Sequence, residues 1–400
     1  MTTLETRIQS STVFAVLFAV ATCHMMNDTL QAILLAMYPM LRDSYALTFG
    51  QIGMITLVFQ VTASILQPLI GHFTDRRPLP YSLPVAPAVT LLGLVLLGVA
   101  TSYYSLLVAA TAIGVGSAIF HPEASRVARL ASGGRFGMAQ SLFQVGGNVG
   151  SSLGPLLAAW IILPRGQASV VWFGLIALAA VGILSCVSRW YSLHINPKNG
   201  TRAPAVHHHG LSTRTVSLSL FILITLMFSK FVYTSSFSSF YTFYLIDHFH
   251  VPVRDAQIYL FVYLAAFALG TFAGGPIGDR IGRKAVIWFS ILGALPFTLV
   301  LPFANLFWTV VLTVPIGLIL ASAFSAMVVY AQELLPGRVG MISGLFFGTA
   351  FGIAGLGAVL LGHLADRTSI TYVFQLCSML PAIGLLTVFL PGSDRLKAPR

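Results

Sequence analysis

Charge is what this sequence has least of. Of its 400 residues only 8% are charged, with 11 acidic side chains against 22 lysines and arginines. A soluble domain carries roughly 25%, so a surface facing water on all sides is excluded. Cysteine is scarce as well. Cys23, Cys186 and Cys377 lie in apolar stretches without paired spacing, which excludes a disulfide framework and predicts free thiols. Long polar stretches are missing, so no soluble domain fits, and the period-two alternation of a membrane barrel is missing too. No Gly-x-x-x-x-Gly-Lys-Ser/Thr loop occurs, so nothing reads as an ATP-driven pump. His121-Pro122-Glu123 matches half of a zinc deaminase pattern, but no Pro-Cys-x-x-Cys follows. No enzyme, cofactor or metal centre is expected.

What is present is apolar length. Mean hydropathy is +0.87, and apolar stretches long enough to cross about 30 Å of hydrocarbon recur throughout. They read as twelve spans, at 11–38, 48–70, 82–101, 104–128, 137–162, 169–191, 215–245, 254–277, 285–303, 306–334, 340–363 and 369–390. Backbone groups in lipid must be satisfied within their own segment, so each span is expected as a helix. The net charge of +11 is a matter of topology. Alternating the loops puts Arg7, Arg76, Arg77, Arg126, Arg129, Arg135, Arg280, Arg283, Lys284 and Arg338, among others, on one side. Only Arg42, Arg165, Arg254 and Arg367 fall on the other. That bias predicts a multi-pass protein of a bacterial inner membrane with both termini cytoplasmic, and excludes a nucleic-acid surface. Val20-Ala21-Thr22-Cys23 is a poor match to a lipoprotein cleavage site, so the first span is expected to be retained.

The most hydrophilic internal stretch, 192–214, contains Pro197, Lys198, Asn199, Gly200 and Pro204 and reads as a cytoplasmic linker. His207, His208 and His209 within it read as a solvated run. The linker divides the chain into halves at 1–191 and 215–400, and the halves repeat one another. Gly71-x-x-x-Asp75-Arg76 pairs with Gly275-x-x-x-Asp279-Arg280, Arg135-Phe136-Gly137-Met138 with Arg338-Val339-Gly340-Met341, and Glu123 with Glu333. The intervals are about 204, 203 and 210 residues, which is the mark of a duplicated bundle.

These residues carry a resemblance. Gly275-x-x-x-Asp279-Arg280-x-Gly282-Arg283-Lys284 is similar to the loop motif of the major facilitator superfamily. The first-half copy keeps Gly71, Asp75 and Arg76 but continues as Pro78-Leu79-Pro80. A third, partial copy is Gly362-His363-Leu364-Ala365-Asp366-Arg367. Gly146-x-x-x-Gly150-x-x-x-Gly154-Pro155 resembles the antiporter motif of drug-exporting members. Four stretches, His24 to Asp28, Phe120 to Arg126, Gln144 to Asn148 and Ala331 to Arg338, narrow the likeness to antibiotic-resistance members. The resemblance implies a membrane fold of two pseudo-symmetric six-helix bundles. It also implies proton-driven export of a small anionic phosphonate by a monomer. The fourth helix lacks the arginine-rich signature of other drug antiporters, so proton-coupling residues do not carry over.

The loop motif has a physical logic of its own. Asp75 or Asp279 can sit against a neighbouring helix N-terminus, where a carboxylate is favoured by roughly 0.3–1 kcal/mol. Arg76, Arg280 and Arg283 can pair with it, and Gly71, Gly275 and Gly282 permit the turn. The expectation is a cytoplasmic latch; plain topology is the competing reading.

Polar groups inside the spans need a reason, since a charge at a helix centre costs about 2.5–3.5 kcal/mol or more. His24, Asn27, Asp28 and Gln31 fall on one face of the first helix. They read as a cavity stripe with Asp28 a proton acceptor, or else as a structural hydrogen-bond seam. His121, Glu123 and Arg126 end the fourth helix, and Glu123 and Arg126 at i,i+3 can pair structurally or exchange a proton with substrate. Lys230, with Tyr233, Phe237 and Tyr241 on its face, suits an amphipathic anion, or is a lysine paired internally. Gln140, Gln144 and Asn148 form a stripe on the fifth helix that fits a wet cavity. Two other functions stay open: a symporter importing a sugar phosphate or organic anion, and a receptor or scaffold that moves nothing.

Overall fold

The computed structural model describes residues 12–76, 79–133, 136–194, 211–335 and 339–392, and among them there is helix and no strand. The linker residues 195–210 and both extreme termini lie outside the described residues. Helix is the outcome required of apolar chain in lipid, where each peptide group must be bonded within its own segment.

Twelve helices carry the fold. They are α1 (Phe14–Ala36), α2 (Phe49–Arg76), α3 (Ser82–Gly98), α4 (Tyr103–Ala131), α5 (Phe136–Leu157), α6 (Gly174–His194), α7 (Thr213–Phe249), α8 (Val253–Ile281), α9 (Arg283–Leu292), α10 (Leu306–Ala321), α11 (Val339–Arg367) and α12 (Ile370–Cys377). Shorter helical pieces extend α5, α9, α10 and α12 to spanning length, and one leads into α6. Among the described residues ten spans are long and apolar enough to cross a membrane. The other two are α1, diluted by its polar stripe, and α3, apolar but only 17 residues long. The twelve expected spans are thus all present as helices.

Three details depart from the expected spans. Several helices run further, α2 to Arg76 and α7 to Phe249. The segment after α1 forms its own short helix, Tyr38–Tyr45, with Pro39 in its first turn and a left-handed Ala46 ending it. The fifth span contains a π-turn at Ala158–Ile162, between Pro155 and Pro164, and the missing Pro164 donor falls on the Trp160 carbonyl within it. A proline inside a helix removes one donor and crowds the carbonyl a turn earlier, which displaces the hydrogen-bond ladder.

Close approach of backbones sets the packing of α1 on α5. A Cβ at Gly150 would lie 2.1 Å from the Met25 carbonyl oxygen, a separation only glycine allows. Contacts between the first six and last six helices include several at the arginine-poor end. The Asp366 carboxylate at the end of α11 accepts from the Phe49 and Gly50 amides of α2, both at 2.7 Å. Gln257 Nε2 donates to the Ala36 carbonyl at 2.8 Å, and the Arg254 guanidinium lies 3.7 Å over the Trp160 ring. Deeper in, the Thr56 and Ser239 hydroxyls stand 3.4 Å apart. These contacts join the two sets of helices at that end. The outer surface carries exposed Phe221, Phe272, Trp172 and Leu360, an apolar belt suited to lipid tails.

Candidate functional site

The polar stripe of α1 becomes a cluster once α4 packs beside it. Asp28 is its centre. His24 Nε2 lies 3.3 Å from Asp28 Oδ2, and His121 Nε2, from α4, lies 3.7 Å from Oδ1. Asn27 Nδ2 donates to Oδ1 at 3.1 Å and Gln31 Nε2 to the same atom at 3.4 Å. The spacing that put these four α1 residues on one face also put them around one carboxylate; that His121 would join them was not readable.

Both imidazoles are held by their other nitrogen. His24 Nδ1 sits 2.7 Å from the Phe143 carbonyl oxygen, and His121 Nδ1 sits 2.9 Å from that of Ser117. A carbonyl only accepts, so each Nδ1 carries a hydrogen. Each Nε2 then faces the Asp28 carboxylate with a lone pair unless the cluster holds a further proton. Two lone pairs against a carboxylate repel, so the arrangement is complementary to at least one shared proton. Two imidazole nitrogens and a carboxylate within 4.8 Å of one another are also the donor set of a divalent-cation site.

The surroundings fix the rings in place. The Phe143 ring stacks on His24 with centroids 4.0 Å apart, and His121 meets His24 edge-on at 5.0 Å. Gly147 of α5 leaves room for the pair: a Cβ there would lie 2.4 Å from His24 Nε2 and 2.7 Å from Asp28 Oδ2. The His24 side chain is 4% exposed while those of Asp28 and His121 are 19% exposed. The cluster therefore has a dry wall at His24 and an open side at Asp28 and His121. Gln144 and Asn148 lie partly exposed on the next helix, and Gln140's side chain lies outside the described residues.

Glu123 and Arg126 form a separate group. Glu123 is fully buried with Oε1 3.6 Å from Arg126 Nη2. Arg126 also donates to the Thr74 carbonyl at 2.6 Å and hydroxyl at 3.1 Å. It thereby ties α4 to the end of α2, one residue before Asp75. In the second half Arg283 forms a close ion pair with Glu333, and Lys284 Nζ donates to the carbonyls of Val388 and Leu390. The backbone of Gly71, Asp75, Arg76, Gly275, Asp279 and Arg280 continues α2 and α8, but the side chains of this set lie outside the described residues. Gly282, with φ +89°, makes the turn into α9.

Lys230 is 1% exposed, and its Nζ has no hydrogen-bond partner among the described residues. The rings of Phe231, Phe267 and Phe324 surround it at 5.5, 5.8 and 5.7 Å. Tyr233, Phe237 and Tyr241 run on from it as a buried column. Phe237 stacks on Tyr263 of α8 at 4.3 Å, and both Phe237 and Tyr241 lie against Phe374 of α12. They are packed side chains in this conformation and do not line open space. Phe267, Tyr263 and Phe324 were missed in the sequence because aromatics are spread through every span. Asp366 carried a readable signal, the third motif copy.

Comparisons with known proteins agree with this architecture. The Major Facilitator Superfamily pattern matches residues 17–260 and 222–399. The fosmidomycin resistance protein of Escherichia coli (strain K12) is 56% identical over 385 residues, 96% of this chain and 95% of that one. The uncharacterized MFS-type transporter YfnC of Bacillus subtilis (strain 168) is 43% identical over 390 residues, 97% of this chain and 95% of its own. A solved bacterial homologue of the human lysosomal transporter Spinster, inward-facing and occupied, has the same fold. Its TM-score is 0.72 at 16% identity, over 95% of both chains. Twelve apolar helices, a repeated loop motif and buried polar clusters thus meet a family match along nearly the whole length, and the chain belongs to the major facilitator superfamily, as a multi-pass membrane transporter and not an enzyme.

Proposed function

We propose that this transporter is a proton-coupled exporter of a small anionic antibiotic of the fosmidomycin type, a phosphonate, working by alternating access. The observation that carries the reading is the Asp28 cluster, in which two imidazoles committed through Nδ1 to carbonyls turn Nε2 towards one carboxylate. Such a site takes up and gives back a proton without moving a helix. The likeness to the E. coli fosmidomycin resistance protein supports the substrate class.

In this reading the halves 1–191 and 215–400 rock about the interior. The arginine-rich end and both termini face the cytoplasm, so the joined end faces the periplasm. The anion enters from the cytoplasm and engages Lys230, His121 or Arg126. After the halves rock, Asp28 takes a proton from the periplasm and the anion leaves. Glu123, held by Arg126, is the second proton candidate. Each proton returning down about 100 mV supplies roughly 2.3 kcal/mol before the pH term. The motif loops at Asp75 and Asp279 latch the cytoplasmic side when it closes.

The test is fosmidomycin flux in proteoliposomes with the pH gradient and the voltage imposed separately. Either gradient alone should drive uphill movement. Flux indifferent to both would remove proton coupling. Cells expressing the chain should become more resistant to the drug; greater sensitivity would make it an importer.

A further inference from the structure

The hydroxyls around Lys230 divide into two kinds. Ser229 donates to the Leu380 carbonyl at 2.6 Å, Ser235 to that of Ala354 at 2.8 Å and Ser236 to that of Tyr233 at 2.7 Å. These are spent on backbone. Thr234 Oγ1 and the Tyr263 hydroxyl are not: both atoms are buried and neither bonds to backbone among the described residues, and Lys230 Nζ closes no hydrogen bond there at all.

The three groups belong to one place. Lys230 and Thr234 are one turn apart on α7. The Tyr263 hydroxyl, from α8, faces Thr234. Phe267, one turn along α8 from Tyr263, brings its ring to Lys230 Nζ. No carboxylate pairs with the lysine among the described residues. The three phenylalanine faces favour a cation but accept no conventional hydrogen bond. A buried ammonium therefore meets a pair of hydroxyls that no carbonyl or carboxylate engages among the described residues, and Lys230 bears the desolvation penalty of an unsatisfied buried charge. Thr234 and two of the rings, Phe231 and Phe324, are only partly buried, and these rings meet edge-on at 5.5 Å. They cover the lysine where its packing is least complete.

We propose that Lys230, Thr234 and Tyr263 form the oxyanion subsite of this transporter, taking a tetrahedral phosphonate or phosphate head; this rests on the reading of the chain as an exporter of phosphonate anions. One oxygen takes the charge of Lys230 and the others accept from the two hydroxyls. A phosphonate brings three oxygens and up to two negative charges where a carboxylate brings two oxygens and one charge, so the carboxylate is the weaker ligand for the buried lysine. The phenylalanine cover sets the other limit. The substrate's tail behind the head group must be narrow and unbranched where it passes Phe231 and Phe324.

The test is equilibrium binding to the full-length protein in nanodiscs. The probes are fosmidomycin and an analogue with carboxylate in place of phosphonate. Wild type should prefer the phosphonate by about tenfold or more. Tyr263→Phe and Thr234→Val should each weaken phosphonate binding by about tenfold, and the carboxylate analogue by less. Lys230→Met should abolish binding and raise the thermal midpoint, since it removes an unpaired buried charge. A lysine serving structure would instead lose stability when replaced. Unchanged phosphonate affinity in Tyr263→Phe and Thr234→Val would overturn the subsite, as would a wild type that binds both probes equally. Wild-type binding without response of flux to either gradient would sink the exporter reading and leave the subsite standing.

Discussion

At the residue scale the proposed proton site is Asp28. Its carboxylate has four side-chain neighbours, and two are imidazoles whose remaining nitrogens point at it. Asp28→Asn keeps the shape and removes the proton acceptor, so gradient-driven efflux should disappear while membrane abundance stays normal. Full efflux in that variant, measured in vesicles, would take Asp28 out of the mechanism. Gly147→Ala tests the same cluster from across the seam. Its Cβ would enter the space of His24 Nε2 and Asp28 Oδ2, an overpacking of about 1–3 kcal/mol. The expected outcome is transport lost well before fold, read as flux against the thermal midpoint. The Asp28 stripe was legible because residues three, four and seven apart share a helix face. The part played by His121 was not, since nothing local says which turn of α4 meets which turn of α1.

At the scale of elements, two joints carry the predictions. In the α1–α5 seam, a methyl at Gly150 would meet the Met25 carbonyl, which is backbone and cannot swing away. Gly150→Ala should therefore force the helices apart and lower the amount of folded protein in the membrane, measured by fluorescence size-exclusion. At the α2–α11 joint, Asp366 caps two amides with one carboxylate. Asp366→Asn keeps one acceptor and loses the charge at a helix N-terminus, worth about 0.3–1 kcal/mol. That should loosen the arginine-poor end, seen as faster labelling of a cysteine placed near Ala358. Unchanged labelling would make the cap incidental. The helices themselves were readable to within a few residues because apolar length in lipid leaves little choice. The short helix Tyr38–Tyr45 and the π-turn at Ala158–Ile162 were not, since both arise from how a proline's missing donor is accommodated locally.

For the whole molecule, composition and pattern by themselves determined a great deal. Scarce charge and recurrent apolar length set the solvent, the helix type and the number of spans. The bias of arginine between loops and the repeated motifs pointed to orientation and duplication. These properties are local or periodic, so they can be read along the chain. Only the tertiary structure decided which polar groups share a neighbourhood. It drew His121 to Asp28 while tying Arg126 to Thr74 only five residues along the same helix. It left Lys230 with aromatic rings and no acid among the described residues, packed Phe237 and Tyr241 into a buried column, and brought the Tyr263 hydroxyl to Thr234. The physical reason is that burial and hydrogen-bond satisfaction depend on which helix faces meet, and residues far apart in the chain settle that jointly.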